Sequence, residues 1–125
     1  MSPVPGPPLR VVIADNDPDA LDLLDLDLAL EGYDIVGRGR NGTEAIALCR
    51  DLNPDVLVVD FRMPPGPNGL AVVQELHGQP GLSVLVYTNY RDAKNTAKAT
   101  ALGAAYLLKG DLRTLRAAIR EITAS

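Results

Sequence analysis

The sequence predicts a doubly wound α/β domain built on a parallel sheet, and three observations carry that reading. Short apolar runs recur along the chain at Leu9–Ala14, Tyr33–Val36, Asp55–Val59, Leu82–Tyr87 and Tyr106–Leu108. Between them lie longer segments suited to helices. The runs are apolar at consecutive positions, as strands covered on both faces require, and the connections are long enough for parallel crossovers.

The elements follow in order. The first helix starts with Asp17 as its cap and Pro18 where a missing N–H costs nothing, and it ends before Gly32. The second is predicted over Thr43–Asp51, stopping near Asn53-Pro54. The third spans about Gly69–His77, the fourth Asp92–Leu102 and the fifth Leu112–Ile122. At about 100° per residue, Ala20, Leu21, Leu24 and Leu28 of the first helix share one side, while Leu23, Leu26 and Leu30 share the opposite side. The first stripe faces the sheet. The second is expected to lie buried under the fifth helix, with an exposed homodimer contact as the alternative. Residues 1–8 carry no core-forming pattern and read as a flexible proline-rich tail, which leaves 9–125 as one domain.

Composition narrows the function. A chain of 125 residues, 46% apolar and 22% charged, is ordinary for one globular domain. With four tyrosines, one phenylalanine and no tryptophan, its core must be mainly aliphatic. A net charge of −4 argues against a grip on nucleic acid, because phosphate contacts need a basic footprint. Cys49 is the single cysteine and no Cys/His cluster exists, so neither a disulfide framework nor a zinc site is expected, and a cytoplasmic location fits. The start has no basic end followed by an apolar stretch, and no long apolar run occurs, so neither secretion nor membrane spanning is expected. Cys49 reads as a small packed or surface residue, His77 as a solvated helix end, and Arg38-Gly39-Arg40 as a solvated strand end without function.

The chemistry should lie beyond the carboxyl ends of the strands, where open α/β sheets bind their ligands. Four polar residues stand there: Asp15 after Val11–Ala14, Asp60 after Val56–Val59, Thr88 after Val84–Tyr87, and Lys109 after Tyr106–Leu108. Two carboxylates, a hydroxyl and an ammonium at one sheet edge suit a divalent cation and a phosphoryl group. A carboxylate approaching a phosphoryl group meets like charge, and two unit charges about 4 Å apart cost roughly 4 kcal/mol at an effective dielectric near 20. Mg²⁺ offsets that repulsion, Lys109 pairs with phosphoryl oxygens, and Thr88 donates one hydrogen bond.

The segments Val11-Val12-Ile13-Ala14-Asp15, Val56-Leu57-Val58-Val59-Asp60-Phe61-Arg62-Met63-Pro64, Val84-Leu85-Val86-Tyr87-Thr88 and Tyr106-Leu107-Leu108-Lys109 together resemble the receiver domains of bacterial two-component response regulators. The resemblance covers Leu9 to the C-terminus. It implies a five-stranded, flavodoxin-like sheet of order 2-1-3-4-5, and a cytoplasmic signalling switch, not an enzyme, serving transcription regulation. It makes Asp60 the phosphoacceptor, fed by a sensor histidine kinase or a small phosphodonor. It assigns Mg²⁺ to Asp15, Asn16, Asp60 and the backbone carbonyl of Arg62. Thr88 and Lys109 would sense the phosphoryl group, and Tyr106 matches the aromatic switch residue that swings inward when the threonine moves.

The chain departs from that pattern at several places. The second acid expected after the first strand is Asn16, which keeps a carbonyl oxygen for Mg²⁺ but loses a charge, so weakened phosphorylation is expected. The loop Met63–Gly69 is one residue longer than usual, Gly103–Tyr106 one shorter, and Asn89 replaces a small residue. Gly110 follows Lys109 where many receivers carry proline, a change common among regulators with a LuxR-type output. Two other functions compete. Asn16 and the altered loops suit a phosphorylation-independent interaction module. Asp15-Asn16-Asp17 also fits the Asp-x-Asp core of haloacid-dehalogenase-like phosphatases, although Asp19 stands where Thr or Val belongs and Asp60 is left unexplained.

Overall fold

The computed structural model describes residues 7–124. The expected tail falls mostly on residues 1–6, outside the described residues. Strands β1 (Arg10–Ala14), β2 (Asp34–Gly39), β3 (Val56–Val59), β4 (Ser83–Thr88) and β5 (Ala105–Leu108) alternate with helices α1 (Pro18–Leu30), α2 (Gly42–Leu52), α3 (Gly69–Leu76), α4 (Ala93–Ala101) and α5 (Leu112–Thr123). All strand pairs are parallel, in the order β2-β1-β3-β4-β5. The expected fold class and strand order are both present.

Strand residues alternate between two apolar layers, as a pleated sheet covered on both faces demands. Val11, Ile13, Val56, Val58, Leu85 and Tyr87 pack against Leu21, Leu24 and Leu28 of α1 and Leu115 and Ile119 of α5. Val12, Ala14, Leu57, Val59, Val84 and Val86 meet Ala45 and Cys49 of α2, Val72, Val73 and Leu76 of α3, and Ala99 of α4. The core is mainly aliphatic, with Phe61 and Tyr87 its buried aromatics among the described residues.

Each helix opens on a side chain that accepts a backbone N–H: Asp17, Asn41, Asn68, Asp92 and Asp111. Asn53 closes α2 in the left-handed region, φ 47°. Gly69 opens α3 because a Cβ there would lie 2.8 Å from the Asp60 carbonyl oxygen. Its absence lets α3 start directly against the end of β3. The Pro64–Pro65 peptide bond is cis, within the loop read as one residue longer than usual.

Three expectations need correction. The second strand runs to Gly39 instead of ending at Val36. The register with β1 shifts between Val11 and Val12, and Gly37 and Gly39 lack the side chains that mark a strand in sequence; a Cβ on Gly37 would sit 3.2 Å from Leu48 of α2. Arg38 is not merely solvated, since its guanidinium pairs with Asp22 and Asp25 of α1. Finally, the stripe Leu23, Leu26 and Leu30 is not buried by α5: these residues are 55%, 61% and 79% exposed. α5 instead meets α1 through Leu115, Ile119 and Arg116, whose guanidinium lies 2.6 Å from Asp27 and 3.5 Å from Glu31. Cys49 is fully buried, taking the packed one of its two expected placements, and His77 is exposed at the end of α3.

Candidate functional site

The strand order reverses between β1 and β3, and such a switch point opens a crevice at the carboxyl edge. Ala14 and Val59 are register partners, so the next residues, Asp15 and Asp60, emerge side by side; the Asp60 N–H donates to the Ala14 carbonyl at 3.0 Å. On the far side, Thr88 ends β4, and the Lys109 N–H donates to its carbonyl at 2.7 Å. The sheet therefore brings together four residues far apart in the chain.

Lys109 organises the charges. Its Nζ lies 2.6 Å from Asp15 Oδ2 and 3.6 Å from Asp60 Oδ2. Both carboxylates are largely shielded, with side-chain exposures of 3% for Asp15 and 12% for Asp60. Burial alone lowers the lysine pKa, but the hydrogen bond to Asp15 and the charges of Asp60 and Asp15 outweigh it and hold the ammonium above its ordinary value. The remaining oxygens are partly engaged: Asp15 Oδ1 accepts from the Asp17 N–H at 2.9 Å, and Asp60 Oδ1 accepts from the Phe61 N–H at 2.7 Å.

Thr88 is buried, and its Oγ1 accepts from the Tyr90 N–H at 3.1 Å. Tyr106 is half-buried, and its hydroxyl donates to the Tyr90 carbonyl at 2.6 Å. Burial, reinforced by the charge of Asp92, pushes that phenol above its usual pKa. Asn16 is exposed directly after Asp15, and Asn89 is exposed directly after Thr88. Arg62 is exposed two residues beyond Asp60. Among the described residues no group of three or more acidic, histidine or cysteine side chains gathers around a point. The two carboxylates nevertheless converge on a positive charge, the ammonium, and their hard oxygens suit Mg²⁺.

Asp17 turns away from this cluster: its side chain caps α1 by accepting from the Asp19 N–H at 3.0 Å. The acid that a phosphatase reading requires is thus spent on a helix end.

Sequence reasoning named Tyr106 but missed its aromatic neighbours in the site. Phe61 stacks on Tyr90 with centroids 4.9 Å apart, and Tyr106 lies 6.3 Å from Phe61. The Arg62 guanidinium carbon stands 3.9 Å from the Tyr90 ring centroid. The available signal was an aromatic residue two places after Thr88 and an arginine two places after Asp60, in a chain poor in aromatics.

Comparison with known proteins agrees with this fold. The response regulator receiver domain family matches residues 11–120. The probable transcriptional regulatory protein TcrX of Mycobacterium tuberculosis is 37% identical over 107 residues, covering 83% of this chain and 44% of its own length. The DNA-binding response regulator MtrA of Mycolicibacterium smegmatis is 31% identical over 95 residues, covering 76% of this chain and 41% of its own length. The chain thus spans less than half the length of these curated relatives. Among solved structures, the signal receiver domain of NarL from Mycobacterium tuberculosis superposes with a TM-score of 0.85 at 27% identity, covering 96% of this chain and 100% of that one. The isolated receiver of RcsB from Salmonella enterica serovar Typhimurium, solved with phosphomimetic BeF₃⁻, gives 0.79 at 26% identity, covering 91% and 89%. With its sheet order, its carboxyl-edge cluster and a family match spanning nearly all its described residues, this chain belongs to the receiver domains of two-component response regulators.

Proposed function

We propose that Asp60 is the phosphoacceptor of this receiver. The observation that carries the reading is the convergence of Asp15 and Asp60 on the Lys109 ammonium, beside the buried hydroxyl of Thr88. A carboxylate oxygen of Asp60 bonds to phosphorus while the bond from phosphorus to the donor's leaving group breaks, and the leaving group keeps the bonding pair. Lys109 meets the negative charge that accumulates on the phosphoryl oxygens, and Thr88 turns its hydroxyl from the Tyr90 N–H to one of those oxygens. Asp15, Asp60, the Asn16 amide oxygen and the Arg62 carbonyl would hold Mg²⁺, which when bound neutralises charge between carboxylate and phosphoryl group. Tyr106, tied to the Tyr90 carbonyl, follows the Thr88 movement and passes it to the α4–β5 surface.

The donor is a sensor histidine kinase or a small acyl phosphate, and the chain acts as a cytoplasmic switch, not as a turnover enzyme. The names of TcrX and MtrA support a transcriptional output for the whole protein. The leucine stripe Leu23, Leu26 and Leu30 of α1 is exposed. An exposed apolar stripe of this kind on one helix supports a homodimer contact.

Incubation with acetyl phosphate and Mg²⁺ tests the reading. Intact-mass analysis should find one phosphoryl adduct, sensitive to hydroxylamine as a mixed anhydride is, and Asp60→Asn should abolish it. No adduct in the wild type under strong donor conditions, or an undiminished one in the variant, overturns the proposal.

A further inference from the structure

The Arg62 side chain has no role in the scheme above, which uses only its carbonyl. Its guanidinium carbon lies 3.9 Å from the centroid of the Tyr90 ring, which also stacks on Phe61 at 4.9 Å and donates its hydroxyl to Asp92 Oδ2 at 3.1 Å. Arg62 is two residues from Asp60, and Tyr90 is two residues from Thr88. With the Phe61–Tyr90 stack, this contact therefore joins the segment after Asp60 to the segment after Thr88. Arg62 is exposed, and among the described residues it pairs with no carboxylate within 4.0 Å, while Lys109 is already committed to Asp15.

We infer that Arg62 is a second cationic ligand for the phosphoryl group, parked on Tyr90 at rest and transferred to the phosphoryl oxygens once Asp60 carries them. The inference rests on Asp60 being the phosphoacceptor. Charge makes the transfer favourable. A phosphoryl group brings about −1.5 to −2 at neutral pH. Against it the site offers one ammonium shared between two carboxylates, and Asn16 supplies no charge to help retain a cation. An exposed cation–π contact is weaker than a bidentate, charge-assisted bond from a guanidinium to a phosphoryl group, so the arginine changes partner when the phosphoryl group arrives. Reach is sufficient, because two residues span at most about 7 Å of chain. The move also removes one contact of the Tyr90 ring, which keeps its stack on Phe61 and its hydroxyl bond to Asp92, and the same residue's backbone N–H holds Thr88 Oγ1 while its carbonyl holds the Tyr106 hydroxyl. Arg62 thereby links phosphoryl capture to the two residues expected to carry the signal.

NMR of the Arg62 Hε proton tests the resting and transferred positions in the intact protein. At rest, the Tyr90 ring current should place that proton upfield of its position in Tyr90→Leu. Adding Mg²⁺ with beryllofluoride should erase the difference. With acetyl phosphate at limiting Mg²⁺, Arg62→Ala should slow phosphorylation about tenfold, as expected for loss of a charged hydrogen-bond donor. Arg62→Lys, a point charge without the fork, should recover part of that loss. An Hε proton that stays at its resting position when the adduct forms, or an Arg62→Ala variant phosphorylated at the wild-type rate, overturns this inference alone. Absence of any adduct on wild-type Asp60 overturns the phosphoacceptor reading and this inference with it.

Discussion

Asn16 is exposed immediately after a carboxylate held by Lys109, so its side chain is free to be changed without disturbing the core. An aspartate there adds a third carboxylate to the cation's surroundings, and attraction at about 4 Å is reduced by water and salt to a net gain of about 1 kcal/mol. Asn16→Asp should therefore bind Mg²⁺ several-fold more tightly, measured by titrating Mg²⁺ against NMR shifts of the Asp15 and Asp60 amides. Equal affinity in the two proteins would remove Asn16 from the proposed metal site. Asp15, Asp60, Thr88 and Lys109 were legible in the sequence for a physical reason: each is a polar residue ending an apolar run, and sheet geometry sends such residues to one edge. Tyr90 and the Arg62 side chain were not legible, because their contact spans two loops whose approach is set by β3–β4 pairing and by side-chain rotamers.

At the scale of elements, α1 shows how one helical pattern admits two packings. Its two leucine stripes were both readable, but periodicity alone does not say which is covered: Leu21, Leu24 and Leu28 share their apolar layer with Leu115 and Ile119 of α5, and Arg116 pairs with Asp27 and Glu31. Leu26→Glu should leave the thermal midpoint close to that of the wild type, since the side chain already lies in water. It should also lower self-association in sedimentation velocity, because a charge is added to an acidic helix at the proposed contact. Leu24→Ala, on the buried stripe, should cost about 2–5 kcal/mol in urea unfolding. A large loss of stability from Leu26→Glu would show that the stripe is covered after all. The extent of β2 was obscured by the same kind of tertiary cause: Gly37 and Gly39 have low strand propensity, yet they let α2 approach the sheet edge closely.

For the whole molecule, consecutive apolar runs separated by helical segments were enough to specify a parallel sheet with two covered faces, whereas the order β2-β1-β3-β4-β5 came from family resemblance, since no local pattern encodes which strands adjoin. The price of two well-packed faces is that ionisable groups caught in them resist charging. Cys49, fully buried between α2 and the sheet, has its thiol pushed up to about 12 by burial, against about 8.5 in an unfolded chain. Between those values the folded state keeps a proton that the unfolded state releases, so stability is complete below about pH 8.5 and falls as pH rises, by about 1.4 kcal/mol per unit. Tyr106 and Lys109 are also raised and act in the same direction, but their unfolded values near 10 and 10.4 confine them to higher pH. The interval from pH 8.5 to 10 therefore isolates the cysteine. Urea unfolding of the wild type should lose about 2 kcal/mol across it, and Cys49→Ala, starting from a lower stability, should lose little. Equal slopes in the two proteins would mean that the thiol ionises as readily in the folded chain as in the unfolded one, and that the layer between α2 and the sheet admits water.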